Sequence, residues 1–255
     1  MIKKIIFSIG LILLSSQSFA SGQSSTSAHH PQALKWEFEG FFGRFDKQSA
    51  QRGYQIYKEV CASCHSMKRV AYRNLADIGF GEDEIKQIAA EYLVVDGPDD
   101  AGDMFERKAL PSDRFVSPFP NEQASRASNG GAYPPDLSLI IKARGNGANY
   151  VYSLLTGYSE APDHFELTQG KYYNPYFEGH QISMVPPIDD DLIEYQDGTS
   201  ATREQMAIDV VNFLQFVAEP EMEVRKQMGV KVMIFLAIMT ILFAIAKTLV
   251  WRQIK

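Results

Sequence analysis

Residues 61–65 read Cys-Ala-Ser-Cys-His, and they hold both cysteines of the chain. A spacing of three puts the two thiols on one turn of backbone, with an imidazole on the next residue. Three chemistries use such a pair: a dithiol redox couple, half of a zinc site, or attachment of haem. A redox couple belongs in a βαβ setting, and none is apparent around it. Zinc needs a further ligand, and His164 and His180 are remote in sequence. Ahead of the motif, Tyr54, Tyr57 and Val60 recur at helical spacing, so a helix is expected over Ser49–Val60. A helix running into C-x-x-C-H points to one covalently bound haem c. The thiols of Cys61 and Cys64 add across the two vinyl groups, and His65 ligates the iron.

A second axial ligand has to come from elsewhere. Met104, Met184, Met206, Met222, His164 and His180 are the candidates, since Met67 is too close to His65 to reach the opposite face. A lone methionine ordinarily fills a core, and Met206 and Met222 lie on or just beyond an expected helix. Met184 stands in Ile-Ser-Met-Val-Pro-Pro. The two prolines hold the chain extended, which suits a strap presenting sulfur to iron. A His/Met pair saturates the iron and raises its potential, which favours electron transfer over haem catalysis.

The ends place the domain. Lys3 and Lys4, the ten-residue run Ile5–Leu14 and Ser18-Phe19-Ala20 form a bacterial export signal, cleaved to start the mature chain at Ser21. Near the other end, Val232–Ala246 carries no charge over 15 residues. As helix it rises about 22 Å, against a hydrocarbon core of about 30 Å. Met228–Trp251 adds only Lys231 and Lys247 as charges, and these can snorkel to opposite headgroup layers. The expected organisation is a signal over 1–20, a periplasmic domain over 21–227, a single membrane anchor over 228–251 and a cytoplasmic tail over 252–255. The location is a bacterial inner membrane, oriented by the export signal.

The net charge of −6 conceals an asymmetry. Residues 21–226 hold 19 basic and 31 acidic side chains, a balance of −12. Nucleic acid is therefore not expected as a partner, whereas a basic protein would be steered in. The acidic residues concentrate in Glu82–Glu106 and Asp189–Asp197. Trp36–Phe45 is dense in aromatics and is expected to pack on the domain or on a neighbour. Asn129–Asp136 is a Gly/Pro-rich loop suited to a pocket wall. Asn149–Thr156 reads as a short helix, and Arg144 before it can pair with a haem propionate. Thr202-x-x-Gln205 is a capping box opening a helix to Ala218, with a stripe of Met206, Val210, Phe213 and Val217. The fold class is mainly α: a c-type cytochrome domain with long loop insertions and one C-terminal transmembrane helix.

Several segments match one family in order and spacing. They include Arg52-Gly-Tyr-Gln-Ile-Tyr57, Val60-Cys-Ala-Ser-Cys-His-Ser66, Gly131-Ala-Tyr-Pro-Pro-Asp-Leu-Ser138, Tyr150-Val-Tyr-Ser-Leu-Leu-Thr-Gly-Tyr158, Asn174-Pro-Tyr-Phe177 and Met184-Val-Pro-Pro187. Over residues 36–251 the chain resembles cytochrome c1, the haem subunit of the quinol–cytochrome c reductase (cytochrome bc1) complex. The resemblance implies Cys61 and Cys64 as haem attachment points, His65 and Met184 as iron ligands, and Arg144 facing a propionate. It implies Asn129, Pro135, Tyr150 and Phe177 as pocket lining. It implies cytochrome b and Rieske iron–sulfur partners in a dimeric complex, and a soluble or tethered cytochrome c as acceptor. The chain itself is then an electron carrier with no quinol site. A disulfide found in some members has no cysteines to form it here. The competing readings are a tethered cytochrome serving a terminal oxidase, which needs a flexible linker, and a haem peroxidase, which needs an open sixth ligand position.

Overall fold

The computed structural model describes residues 27–254. The export signal expected over 1–20 lies outside the described residues. Helix α1 (Lys47–Glu59) begins two residues earlier than the apolar spacing indicates, because the Asp46 carboxylate accepts the Ser49 N–H at 3.0 Å. A side chain at the N-cap satisfies a backbone donor that the helix itself leaves open. At its far end α1 runs directly into a 3-10 turn over Cys61–Ser63. There the N–H groups of Cys64 and His65 both donate to the Cys61 carbonyl, at 3.1 and 2.9 Å. The motif is thus wound onto the end of a helix.

Helix α6 (Arg203–Ala218) packs against α1. Thr202 caps it by accepting the Gln205 N–H at 3.2 Å. The sequence suggests one apolar stripe, but α6 is buried on nearly every side: Ala207, Val211, Leu214 and Phe216 are as enclosed as Met206 and Phe213. The reason is its central position, with α1, α4 (Ile140–Ala143), α5 (Gly147–Thr156) and the turn at Leu137–Leu139 all packed on it. A helix enclosed all round needs apolar residues all round. Its crossing with α1 is close. A Cβ built on Gly53 would stand 2.0 Å from the Asp209 carbonyl oxygen. Beside this contact Tyr54 and Tyr57 lie 5.6 to 6.0 Å, ring to ring, from Phe115 and Phe213.

The same helix pair holds a buried polar cluster. Asp209 is fully buried and accepts two bonds of 2.9 Å from Arg52, one of 2.6 Å from Ser49 Oγ and one of 3.1 Å from Gln205. Asn212 donates to Ser49 Oγ at 2.8 Å. Arg52 also reaches Asp197 at 2.9 Å, so one guanidinium ties α1 to α6 and to the acidic loop before it. A buried carboxylate is tolerated only when its charge and lone pairs are met in this way.

One hairpin was not legible as secondary structure. Strands β1 (Leu93–Asp96) and β2 (Phe105–Lys108) form an antiparallel hairpin after α2 (Glu82–Ala90), within the acidic stretch. Arg107 anchors it, bridging Asp96 and Asp113. Hydrogen bonding to Arg107 holds both carboxyls below the usual carboxylate range. A depressed folded-state pKa contributes stability that is present above the unfolded value near ~3.9 and is lost as pH falls through the folded pKa. The protection factors of the hairpin amides Val94 and Arg107 are therefore expected to fall below pH about 4. Arg107→Ala should lower the protection factor at Val94 already at pH 7. Equal protection in both proteins at both pH values would dismiss the clamp.

Helix α7 (Met222–Ile254) follows after Pro220 interrupts the chain. It contains one stretch long and apolar enough to cross a membrane, and none of that stretch is buried against the domain. It starts six residues before the expected anchor because its first turns belong to the domain. Met222 is buried, Glu223 accepts the Phe45 N–H at 2.8 Å, and Lys226 donates to the Phe38 and Gly43 carbonyls at 2.6 and 3.2 Å. At the other end the Lys247 ammonium sits 4.9 Å from the Trp251 ring centre.

Candidate haem site

The imidazole of His65 donates from Nδ1 to the Pro135 carbonyl at 2.8 Å. A carbonyl can only accept, so Nδ1 carries the proton. Burial lowers the His65 pKa, which outweighs the bond to Pro135 and the nearby Asp136 charge. The ring is thus a neutral imidazole with an unprotonated Nε2. That is the tautomer a metal needs, and the bond at Nδ1 fixes the ring's orientation.

The Pro135 carbonyl is itself held. Asp136 accepts Ser66 Oγ at 2.8 Å, the Lys68 N–H at 2.9 Å and the Ser138 N–H at 2.9 Å. The Leu137 N–H donates to the Ser66 carbonyl at 2.9 Å, and the Arg69 N–H to Ser138 Oγ at 3.1 Å. Burial pushes the Asp136 pKa up, but these bonds prevail and hold it below the usual range. The loop of residues 129–136 is therefore stitched to the turn that follows the C-x-x-C-H motif. Asp136 carries this junction, and sequence reading gave it no role. The pattern that could have found it is Asp-Leu-Ser, an acidic side chain that accepts the backbone N–H two residues on.

Cys61 and Cys64 are both free and partly buried. Burial, with Cys64 next to it, pushes the Cys61 thiol up to about 12. A redox-active C-x-x-C depends on a depressed thiol pKa, and the Cys61 thiol moves in the opposite direction. Among the described residues no group of three or more His, Cys, Asp or Glu is placed to hold a metal ion, and the zinc reading lacks its ligands.

Of the candidate sixth ligands, Met206 and Met222 are buried in the hydrophobic core. Met104 is 60% exposed, just before β2. His164 is exposed, and His180 packs among His29, Phe165 and Tyr173. Met184 is half-buried in the segment leaving β4 (Gln181–Ile182), which pairs with β3 (Tyr172–Tyr173). The Tyr158 hydroxyl donates to the Met184 carbonyl at 3.1 Å, and Lys171 donates to Ser183 Oγ at 2.5 Å. With Pro186 and Pro187 following, the strap is restrained on both sides. Tyr158 is a second positioning residue that sequence reading quoted within a motif but gave no task. Tyr158 and Pro186 border a cavity of about 550 Å³. Neither cysteine lines it.

The other expected residues fall into three places. Arg144 is exposed between α4 and α5, close enough to Tyr150 for its charge to oppose the rise that burial gives the Tyr150 hydroxyl. Phe177 ends the Asn-Pro-Tyr-Phe turn. Buried Asn174 fastens that turn to α5 through a 2.8 Å bond from Nδ2 to the Leu154 carbonyl. Asn129 closes helix α3 (Glu122–Ser128), donating from Nδ2 to the Ser125 carbonyl at 2.7 Å. The structure joins His65 directly to Pro135, whereas the bonds made by Asn129 and Phe177 belong to their own turns. The donor set suits a haem: a neutral imidazole with one free nitrogen, two thiols a turn apart, and a thioether on a restrained strap.

Fold and site together define a class: a mainly helical domain carrying a C-x-x-C-H turn on α1, hung from one long apolar helix. Residues 36–254 match the model of the Cytochrome C1 family. The chain is similar to the cytochrome c1 of Rhodospirillum rubrum, 46% identical over 270 residues that cover 100% of this chain and 98% of that protein. It is 47% identical to the mitochondrial cytochrome c1 haem protein of Saccharomyces cerevisiae, over 89% of this chain and 74% of that one. It is 45% identical to a cytochrome b/c1 of Bradyrhizobium diazoefficiens, over 92% of this chain and 38% of that one. The chain belongs to the cytochrome c1 family.

Proposed function

We propose that this chain is the haem c subunit of a membrane quinol–cytochrome c reductase, taking electrons from a Rieske iron–sulfur protein and passing them to cytochrome c. The observation that carries the reading is the His65–Pro135 bond, which leaves Nε2 free beside two thiols in a chain of this family. Haem c, when bound, supplies reversible one-electron oxidation and reduction. One haem would be held covalently by Cys61 and Cys64, with His65 and Met184 on the iron and Arg144 toward a propionate. Asn129, Pro135, Tyr150 and Phe177 would line its pocket. The Bradyrhizobium relative, whose name joins cytochromes b and c1, supports cytochrome b as a neighbour. Residues 1–20 are an export signal, residues 21–227 lie in the periplasm, residues 228–251 span the inner membrane and the tail is cytoplasmic. The complex is dimeric.

The tethered-shuttle reading loses its linker. The anchor's first turns are bonded to the domain at Phe38, Gly43 and Phe45, so the domain is not free to swing. The acidic face is also narrower than composition indicates. Asp96 and Asp113 are taken by Arg107, Asp189 by Arg203 and Asp197 by Arg52. Exposed Asp100, Asp103, Glu106, Asp191 and Glu194 are left to meet a basic partner.

A tagged chain purified from its native membrane tests the assignment. Cytochrome b and an iron–sulfur protein should co-purify, and the preparation should reduce a basic cytochrome c more slowly as salt rises, since screening weakens attraction between opposite charges. A tagged chain that emerges without either subunit would sink the complex. A salt-independent rate would sink the acidic docking face.

A further inference from the structure

We infer that the turn carrying Phe41 and Phe42 inserts into the lipid headgroup–hydrocarbon boundary at the root of the anchor helix. Residues 36–45 form a tight hairpin: the Arg44 N–H donates to the Glu37 carbonyl at 3.0 Å, and the Glu39 N–H to the Trp36 carbonyl at 3.1 Å. Trp36 and Phe38 turn inward, buried and stacked 5.4 Å apart. Phe41 and Phe42 turn outward, 56% and 80% exposed, and Gly40 takes a φ of 73° that lets the tip reverse. The aromatic stretch divides, one half packed on the domain and the other half uncovered.

The bonds to α7 set the direction of the tip. Phe45 is fastened to Glu223, while Phe38 and Gly43 are both fastened to Lys226, one turn further along the helix. The hairpin therefore runs along α7 toward its apolar part, and the tip lies beyond Lys226. Two residues of chain reach at most about 7 Å, which is about four or five residues of helical rise. The tip can reach as far as the level of residues 229–231. The uncharged run Val232–Ala246 spans only about 22 Å of a hydrocarbon core near 30 Å, so the boundary falls near residue 229 when the shortfall is shared between the two ends. Two exposed phenylalanines at that level match the apolar side of the boundary, where aromatic rings anchor proteins to bilayers. Continuity with the span selects lipid as the occupant over a second protein.

This inference rests on α7 being the membrane span. The test uses the full chain with its haem, assembled in its native complex and placed in phosphatidylcholine–phosphatidylglycerol nanodiscs. Phe42→Cys, and separately Phe41→Cys, is labelled with a nitroxide, and collision with oxygen is compared with collision with a water-soluble nickel chelate. The haem spectrum checks folding. The oxygen-to-nickel ratio at Phe42 should exceed that at the exposed control Met104→Cys several-fold and stay below that at mid-span Ile238→Cys. A Phe42 ratio equal to that at Met104 overturns the inference. So does a label shielded from both reagents, which places a protein partner there instead. A nickel-accessible Ile238 label removes the span itself, a different failure.

Discussion

Arg52→Met is expected to destabilise the domain by about 3–5 kcal/mol, the cost of leaving a buried charge without its partner. Asp209 is fully buried and takes two of its four hydrogen bonds from Arg52. Bonds to Asp209 in turn hold the guanidinium pKa above its ordinary value, against the effect of burial. With arginine gone, Ser49 and Gln205 still donate but no cation remains. Asp209→Asn added to Arg52→Met removes the stranded charge and keeps an acceptor for Ser49. The double variant should recover part of the loss, and chemical denaturation of the three proteins measures it. A double variant weaker than Arg52→Met alone would mean that packing by the arginine stem, not charge, is what α1 and α6 share. Gly53→Ala probes the same crossing sterically, because its Cβ has no room beside the Asp209 carbonyl.

Met184→Leu is expected to remove the sulfur-to-iron absorption band and lower the midpoint potential, by a share of the roughly 0.8 V over which axial ligands set haem potentials. The chain should still carry covalent haem, since neither thiol is touched. Met206→Leu is the control. Met206 is fully buried in α6, and a swap of similar volume should cost less than about 1.5 kcal/mol and leave the spectrum unchanged. If the band survives in the Met184 variant and disappears in another, the strap is not the ligand carrier. Tyr158→Phe should give a smaller change in the same direction, because it removes one restraint from the strap while the sulfur remains.

Much of this molecule is legible in its sequence. The turn Cys61–His65, the helix feeding it, the capped helix ending at Ala218 and the apolar C-terminal helix each announce themselves through contiguous spacing. So did membership of the cytochrome c1 family, whose segments stand in order along the chain. Local patterns of this kind depend on neighbours three or four residues apart, which the sequence displays directly.

What remained hidden depends on residues far apart in the chain. The Arg52–Asp209 pair joins positions 157 residues apart, and the His65–Pro135 bond joins positions 70 apart. No periodicity predicts which carboxylate will meet which guanidinium. The acidic count of residues 82–106 was visible, but Asp96 being held by Arg107 was not. The aromatic density of residues 36–45 was visible, but the division into buried Trp36 and Phe38 and uncovered Phe41 and Phe42 was not. Sequence by itself determined that two thiols and an imidazole share one turn at the end of a helix, and that the chain carries an apolar helix long enough to span a bilayer. Tertiary structure decided the rest: that His65 donates from Nδ1 and keeps Nε2 free, that Asp136 holds the loop it donates to, and that the first turns of the apolar helix are bonded to the domain. Each of those depends on a backbone carbonyl or a lone carboxylate brought in by the fold, groups that the letters of a sequence do not distinguish from any others.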